Sequence, residues 1–243
     1  MLEPGSAITR LPLYKAFSDG DKKMQGFWNL LSGDEQEALA GLGMRRDYTP
    51  SATICLEGDP ATQVFVLLAG LVKILSTTKD GQQIVLALRG DGDIVGEIGG
   101  EIGRRNATIK AIDTVKALIV RYDRFRSFLD TNLGAGQAYR SVVTQRWYDA
   151  DTILRGRTGT SGAQRLAGLL LDFANRRGQG VEGVIHLVLP LTQEELASLA
   201  GTSRATVTRA LSNWRKRGFV LTAQRHITII DLKGLRQAAG QQR

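Results

Sequence analysis

At 243 residues with 42% apolar content, the chain can bury the core of one large domain or two ordinary ones, which excludes an unstructured polymer. Residues 1–160 hold 20 Lys+Arg against 19 Asp+Glu, whereas residues 161–243 hold 12 against 5, so the formal charge of +8 divides as +1 and +7. A basic C-terminal third favours a polyanionic partner and argues against a membrane one, since no apolar run nears the length of a bilayer span and the start lacks a signal-peptide layout. A cytosolic protein is expected.

Residues 1–26 carry no clear period and are read as a poorly ordered or loosely docked arm. Phe27–Gly43 predicts a short helix with Ser32 as N-cap, Asp34 and Glu35 in the first turn, and Leu39 and Leu42 facing inward. From Met44 to Val120, short runs of β-formers alternate with glycine and aspartate, and Lys79-Asp80-Gly81 marks a hairpin turn. Many short strands at regular spacing predict a sandwich or jelly-roll barrel. Tyr122–Leu129 reads as a helix with Phe125 and Leu129 on one face, and Leu133–Arg155 as a longer one. On the long helix Val143, Trp147, Ala150 and Leu154 form a heptad-like seam that suits either a second copy or the chain's own barrel. Arg157–Gly162 is a Gly/Thr-rich hinge, and a second domain opens with a helix over Ala163–Arg177.

The richest stretch is Leu191–Arg217. Thr192 with Glu195 has capping-box spacing, Leu196, Leu199 and Ala200 form an apolar face, and Gly201 supplies a break. Ser203 caps a second helix with Val207, Ala210, Leu211 and Trp214 inward and Arg204, Thr206, Thr208 and Arg209 outward. This predicts a helix-turn-helix whose second helix reads the major groove. A strand at Val184–Leu189 precedes it, and a hairpin from Gly218 to Ile230 follows as a wing.

The other informative stretch is Gly90–Ile109. Gly96 and Gly99 allow close backbone approach to a ligand, Glu97 can accept from sugar hydroxyls, and the Arg105 guanidinium can pair with a phosphodiester. That set suits a nucleotide pocket, and it also suits a glycine-rich barrel turn with ordinary surface charges.

In the order GEIG…RNAT then TSRATVTR, the chain resembles the cyclic-AMP receptor protein (Crp/Fnr-type) family of bacterial transcription regulators, over roughly Phe27 to Asp231. The resemblance implies an α+β fold. It comprises an N-terminal arm (1–26), a β-roll cyclic-nucleotide-binding effector domain (27–132), a dimerisation helix (133–156), a hinge (157–162) and a winged helix-turn-helix domain (163–243). It implies a cyclic nucleotide effector, cAMP or cGMP, held by Gly96, Glu97, Ile98, Arg105, Asn106 and Ala107, with Glu97 on the ribose and Arg105 on the phosphate. It implies DNA contacts from Thr192, Gln193, Ser203, Arg204, Ala205, Thr206 and Arg209, with Arg204 and Arg209 on guanine. A homodimer on a palindromic operator follows, with RNA polymerase as a further partner.

Three departures bear on specificity. Ala205 replaces a glutamate common in the family, Asn106 replaces a small or hydroxyl residue, and Ala150 and Asp151 stand near the expected purine-contacting hydroxyls, with Thr144 and Thr152 within reach. An alternative is therefore a family member with a degenerate or repurposed pocket, ligand-independent or responsive to a cyclic dinucleotide. One cysteine, Cys55, is too few for an iron–sulfur cluster. Both histidines, His186 and His226, fall in the C-terminal domain, which argues against haem and zinc in the effector domain. No nucleophile–base pair or metal-ligand set appears, so no enzyme is expected.

Overall fold

The computed structural model describes residues 26–156, 159–181, 184–223 and 226–240. The arm, apart from Gly26, lies outside the described residues, as do Arg157 and Thr158 of the hinge and the tip of the wing at Gln224 and Arg225.

The N-terminal part runs through α1 (Phe27–Leu30), α2 (Gly33–Leu42), β1 (Gly43–Tyr48), β2 (Thr53–Cys55), β3 (Gln63–Ala69), β4 (Val72–Thr77), β5 (Gln83–Arg89) and β6 (Ile94–Val95). It continues through α3 (Glu97–Ile102), β7 (Thr108–Ala111), β8 (Val115–Arg121), α4 (Tyr122–Thr131) and the long α5 (Leu133–Gly156). The predicted helix near residue 27 is two helices, because Leu31 takes extended backbone before Ser32 closes a capping box with Glu35. Two antiparallel sheets, ordered β1-β8-β3-β6 and β2-β7-β4-β5, pack face to face. This is the β-roll.

Why the roll sits beneath helices is visible on β3 and β8. Phe65 and Leu67, with Val115, Ala117 and Ile119, point between the sheets against Val72, Ile109 and Ala111. The alternate residues Val64 and Val66, with Leu118 and Val120, point the other way, into a layer built by α1, α2, α4 and α5. A strand apolar on both faces has to be covered on both faces. The helical layer closes on three rings: Phe125 meets Phe27 at 5.8 Å and Tyr139 at 5.6 Å, both edge to face.

The C-terminal part comprises α6 (Gly162–Arg177), β9 (Gln179–Val181), β10 (Val184–Val188), α7 (Gln193–Leu199), α8 (Arg204–Lys216), β11 (Val220–Ala223), β12 (His226–Ile229) and α9 (Leu232–Ala238). A third antiparallel sheet, β11-β12-β10-β9, supports the helices around Leu166, Leu170, Val207, Trp214 and Ile229. The capping signals hold: Thr192 and Glu195 close a capping box, Ser203 accepts from the Thr206 amide, and Gly201 takes φ 57° at the turn.

Phe125 is fully buried at the meeting point of α1, α4 and α5. Phe125→Ala is expected to cost about 3–5 kcal/mol of stability in urea denaturation; a loss below about 1 kcal/mol would show that the ring cluster does not hold the helices to the roll.

Candidate functional site

The cassette from Gly90 to Ile109 folds as strand, short helix and strand, and it buries both of its charged residues of interest. Glu97 is 4% exposed and Arg105 is 6% exposed. Gly96, at φ 80°, ends β6 and begins α3, and its carbonyl accepts from Arg105 Nη1 at 3.0 Å. A side chain there would meet that same nitrogen at 2.5 Å, so glycine is required by the arginine itself. The Arg105 guanidinium lies over the Phe65 ring, 5.1 Å from its centre. Its Nε is buried with no hydrogen-bond partner. A buried, unmatched N–H on a cation is costly unless an anion meets it, so the donor set fits a phosphate.

The other candidates divide. Ala107 is buried, while Ile98 and Asn106 are exposed at the cassette surface. Gly99 has a packing role of its own. A Cβ on it would lie 2.9 Å from the Arg104 carbonyl and 3.0 Å from Ala61, so packing against the chain's own backbone requires glycine.

The partner of Glu97 is Arg146 on α5. Arg146 donates to Glu97 Oε1 at 2.7 Å, to Asp93 Oδ1 at 3.1 Å and to the Ile94 carbonyl at 2.8 Å. Burial, and after it the Glu97 charge, pushes the nearby Tyr139 phenol up to about 12, so Tyr139 stays a neutral packing group. Sequence reasoning missed Arg146. The signal was a stripe at helical spacing, Ala135, Ala138, Tyr139 and Val142, packed on the roll and continued four residues later by a cation.

The opposite face of α5 is open. Trp147 is 71% exposed, and Val143 and Ala150 are exposed with it. The side chain of Leu154 lies outside the described residues.

In the helix-turn-helix, Thr192, Ser203, Arg204, Ala205 and Arg209 are exposed, and Gln193 and Thr206 are half-buried. Arg204 pairs with Glu194 at 2.9 Å, and Thr208 donates to Gln193 at 2.6 Å. An exposed pair of this kind is weak and gives way readily to a stronger anion. Arg165 on α6 was also missed. Its Nε donates to the Ala200 carbonyl at 2.8 Å, its Nη2 to Gly201 at 2.7 Å and its Nη1 to Thr160 at 2.5 Å, so one guanidinium ties the hinge to the turn.

Two family models match this chain. One described as a cyclic nucleotide-binding domain matches residues 45–132, and one described as a Crp-like helix-turn-helix domain matches residues 164–238. The chain belongs to the Crp/Fnr-type family of bacterial transcription regulators. A CRP-like cAMP-activated global transcriptional regulator of Mycobacterium tuberculosis is 28% identical over 214 residues, covering 86% of this chain and 96% of that one. The cyclic AMP receptor protein of Thermus thermophilus is 27% identical, over 78% of this chain and 85% of that one. Among solved structures, a CooA mutant from Carboxydothermus hydrogenoformans superposes with a TM-score of 0.70 at 22% identity, over 89% of this chain and 96% of that one. The c-di-GMP responsive regulator CLP of Xanthomonas campestris also reaches 0.70, at 21% identity, over 82% of this chain and 99% of that one.

For this Crp/Fnr-type regulator, the first test is whether Arg146 holds the cassette. Arg146→Met should cost about 3–5 kcal/mol, because it leaves Glu97 buried without a cation. Adding Glu97→Gln should recover more than half of that loss in chemical denaturation. Additive losses in the double variant would deny the pair.

Proposed function

We propose that the protein is a homodimeric, sequence-specific DNA-binding transcription regulator whose DNA affinity is set by a cyclic mononucleotide bound at the cassette. The observation that carries the effector reading is Arg105. Its buried, unpartnered Nε beside Gly96 and Glu97 is a donor waiting for an anion. Arg105 takes the cyclic phosphate, Glu97 accepts from the ribose hydroxyl while Arg146 holds it in place, and Ala107 and the backbone of Gly96 and Ile98 line the remainder. Among the described residues no other buried cationic N–H lacks a partner, which favours one phosphate over the two of a cyclic dinucleotide.

The dimer forms through the face of α5 that the roll leaves uncovered, with Trp147 at its centre and Val143 and Ala150 beside it. A two-fold along these helices presents two copies of α8 to successive major grooves, which calls for a palindromic operator. Ser203, Thr206, Thr192 and Gln193 then position the head on phosphates, and Arg204 and Arg209 read guanine edges. The Ala205 methyl has no acceptor to offer a base and leaves its position on the operator less constrained. The relatives named cAMP-activated support a cyclic nucleotide, and Ala150 and Asp151 on α5 leave the purine to be measured. The chain's work is binding throughout, with the domains divided at residues 132, 156 and 162 and the cytoplasm as its compartment.

Calorimetry with cAMP and cGMP tests this reading. The wild type should bind at least one of the two, and Arg105→Lys should weaken that binding about 10- to 100-fold with thermal stability near wild type. Binding of neither nucleotide, or equal binding by both proteins, would refute the assignment of the pocket.

A further inference from the structure

The first turn of α7 holds two side chains of the reading helix. Glu194 pairs with Arg204 at 2.9 Å, and Gln193 Oε1 accepts from the Thr208 hydroxyl at 2.6 Å. The same hydroxyl stands 3.0 Å from the Arg204 carbonyl, one turn back on α8. A threonine hydroxyl has a single proton, and both of these acceptors belong to the chain itself. Thr208 therefore has no proton to give a base. The group it has left to donate to a contact is its γ-methyl, on a residue that is exposed.

The neighbouring position offers a methyl as well. A helix advances about 100° per residue, so Thr208 and Ala205 fall between Arg204 and Arg209 around the axis of α8. They lie on the side away from the buried set Val207, Ala210, Leu211 and Trp214. Side chains three residues apart on a helix are neighbours, which puts the two methyls side by side. Both residues are exposed. The surface between the two proposed guanine readers is thus a pair of methyl groups without a free donor.

One base answers such a surface. In the major groove the edges of guanine, adenine and cytosine present acceptors or amino donors, and thymine alone adds a C5-methyl. A polar edge pressed against two methyls loses water and regains no hydrogen bond. A methyl pressed against them buries apolar surface on both sides.

We infer that Ala205 and Thr208 together read a thymine through its C5-methyl, so each half-site carries a thymine between the bases met by Arg204 and Arg209. The inference rests on α8 being the DNA reader. It adds Thr208 to the reading set and gives Ala205 a base: the contact discriminates by a few-fold per half-site, as a methyl does, and not by the larger ratio of a bidentate hydrogen bond. Gln193 takes the Thr208 proton with its carbonyl and keeps its amide NH2 for a phosphate.

Deoxyuridine tests this one methyl at a time, because it pairs as thymine does and lacks only the C5-methyl. A palindromic duplex is selected from a random-sequence pool by the wild type in the presence of cAMP and cGMP. Each thymine of the half-site is then replaced in turn by deoxyuridine, in both half-sites together, and affinity is read by fluorescence anisotropy at fixed salt. One position should lose about fifteenfold, or about fourfold per half-site, while the others change little. Thr208→Ser keeps the hydroxyl and drops the methyl, and should cut that ratio to about fourfold, the share left to Ala205. Thr208→Val keeps the methyl in the rotamer that helices favour and should retain the full ratio. A half-site with no thymine whose methyl counts overturns the inference. So does a ratio that Thr208→Ser leaves intact, and so does one that Thr208→Val abolishes, since the oxygen is then the reader. If the wild type enriches no duplex, the reader assignment itself fails and the inference falls with it. A duplex bound tightly but indifferently to its thymine methyls leaves the reader standing and sinks the methyl reading alone.

Discussion

A carboxylate that is 4% exposed needs a hydrogen-bonding partner for its oxygens, and the long helix α5 brings one to Glu97 in Arg146. That requirement organises the N-terminal half. Arg146 spans Glu97, Asp93 and the Ile94 carbonyl, so the helix is pinned to the residues on either side of β6 rather than to one residue. The apolar stripe ahead of it, from Ala135 to Val142, sets the helix on the roll, and the guanidinium fixes its rotation. Once the inner face is committed in this way, Trp147 and Val143 have no choice but to face outward.

The same economy of charged groups recurs in the C-terminal half. Arg165 satisfies the carbonyls at the helix-turn-helix turn and reaches back to Thr160, so the turn and the end of the hinge move as one piece. Glu195 caps α7 and meets Lys73 across the boundary. Each is a single side chain serving two elements, which is how a small site on one part of a protein can bias another some distance away. Arg105 differs from Arg146, Arg165 and Glu195 because its buried Nε is unmet.

Local signals were legible in the sequence wherever the cause was local. The N-caps at Ser32 and Ser203, the capping box at Thr192, the left-handed Gly201 and the inward set Val207, Ala210, Leu211 and Trp214 all depend on neighbours within one turn or two. The roll was legible as many short strands between turn residues, without its order. What escaped depends on partners far along the chain. Arg146 is 49 residues from Glu97 and Lys73 is 122 from Glu195, and a solitary cation on a helix or strand carries no mark of where its acid will come from. Gly99 is a related case: close approach by a ligand and close approach by the chain's own backbone demand the same residue, and the second is visible only in the fold.

Control of a reading head by a distant pocket is a coupling free energy, and coupling is reciprocal. The most direct measurement is a thermodynamic square: operator affinity of the wild type with and without cAMP or cGMP, and affinity for that nucleotide with and without operator. The proposed mechanism requires both ratios to exceed one and to agree with each other. A ratio of one on both sides, with nucleotide and DNA each bound, would contradict it and leave two independent binding sites on one chain.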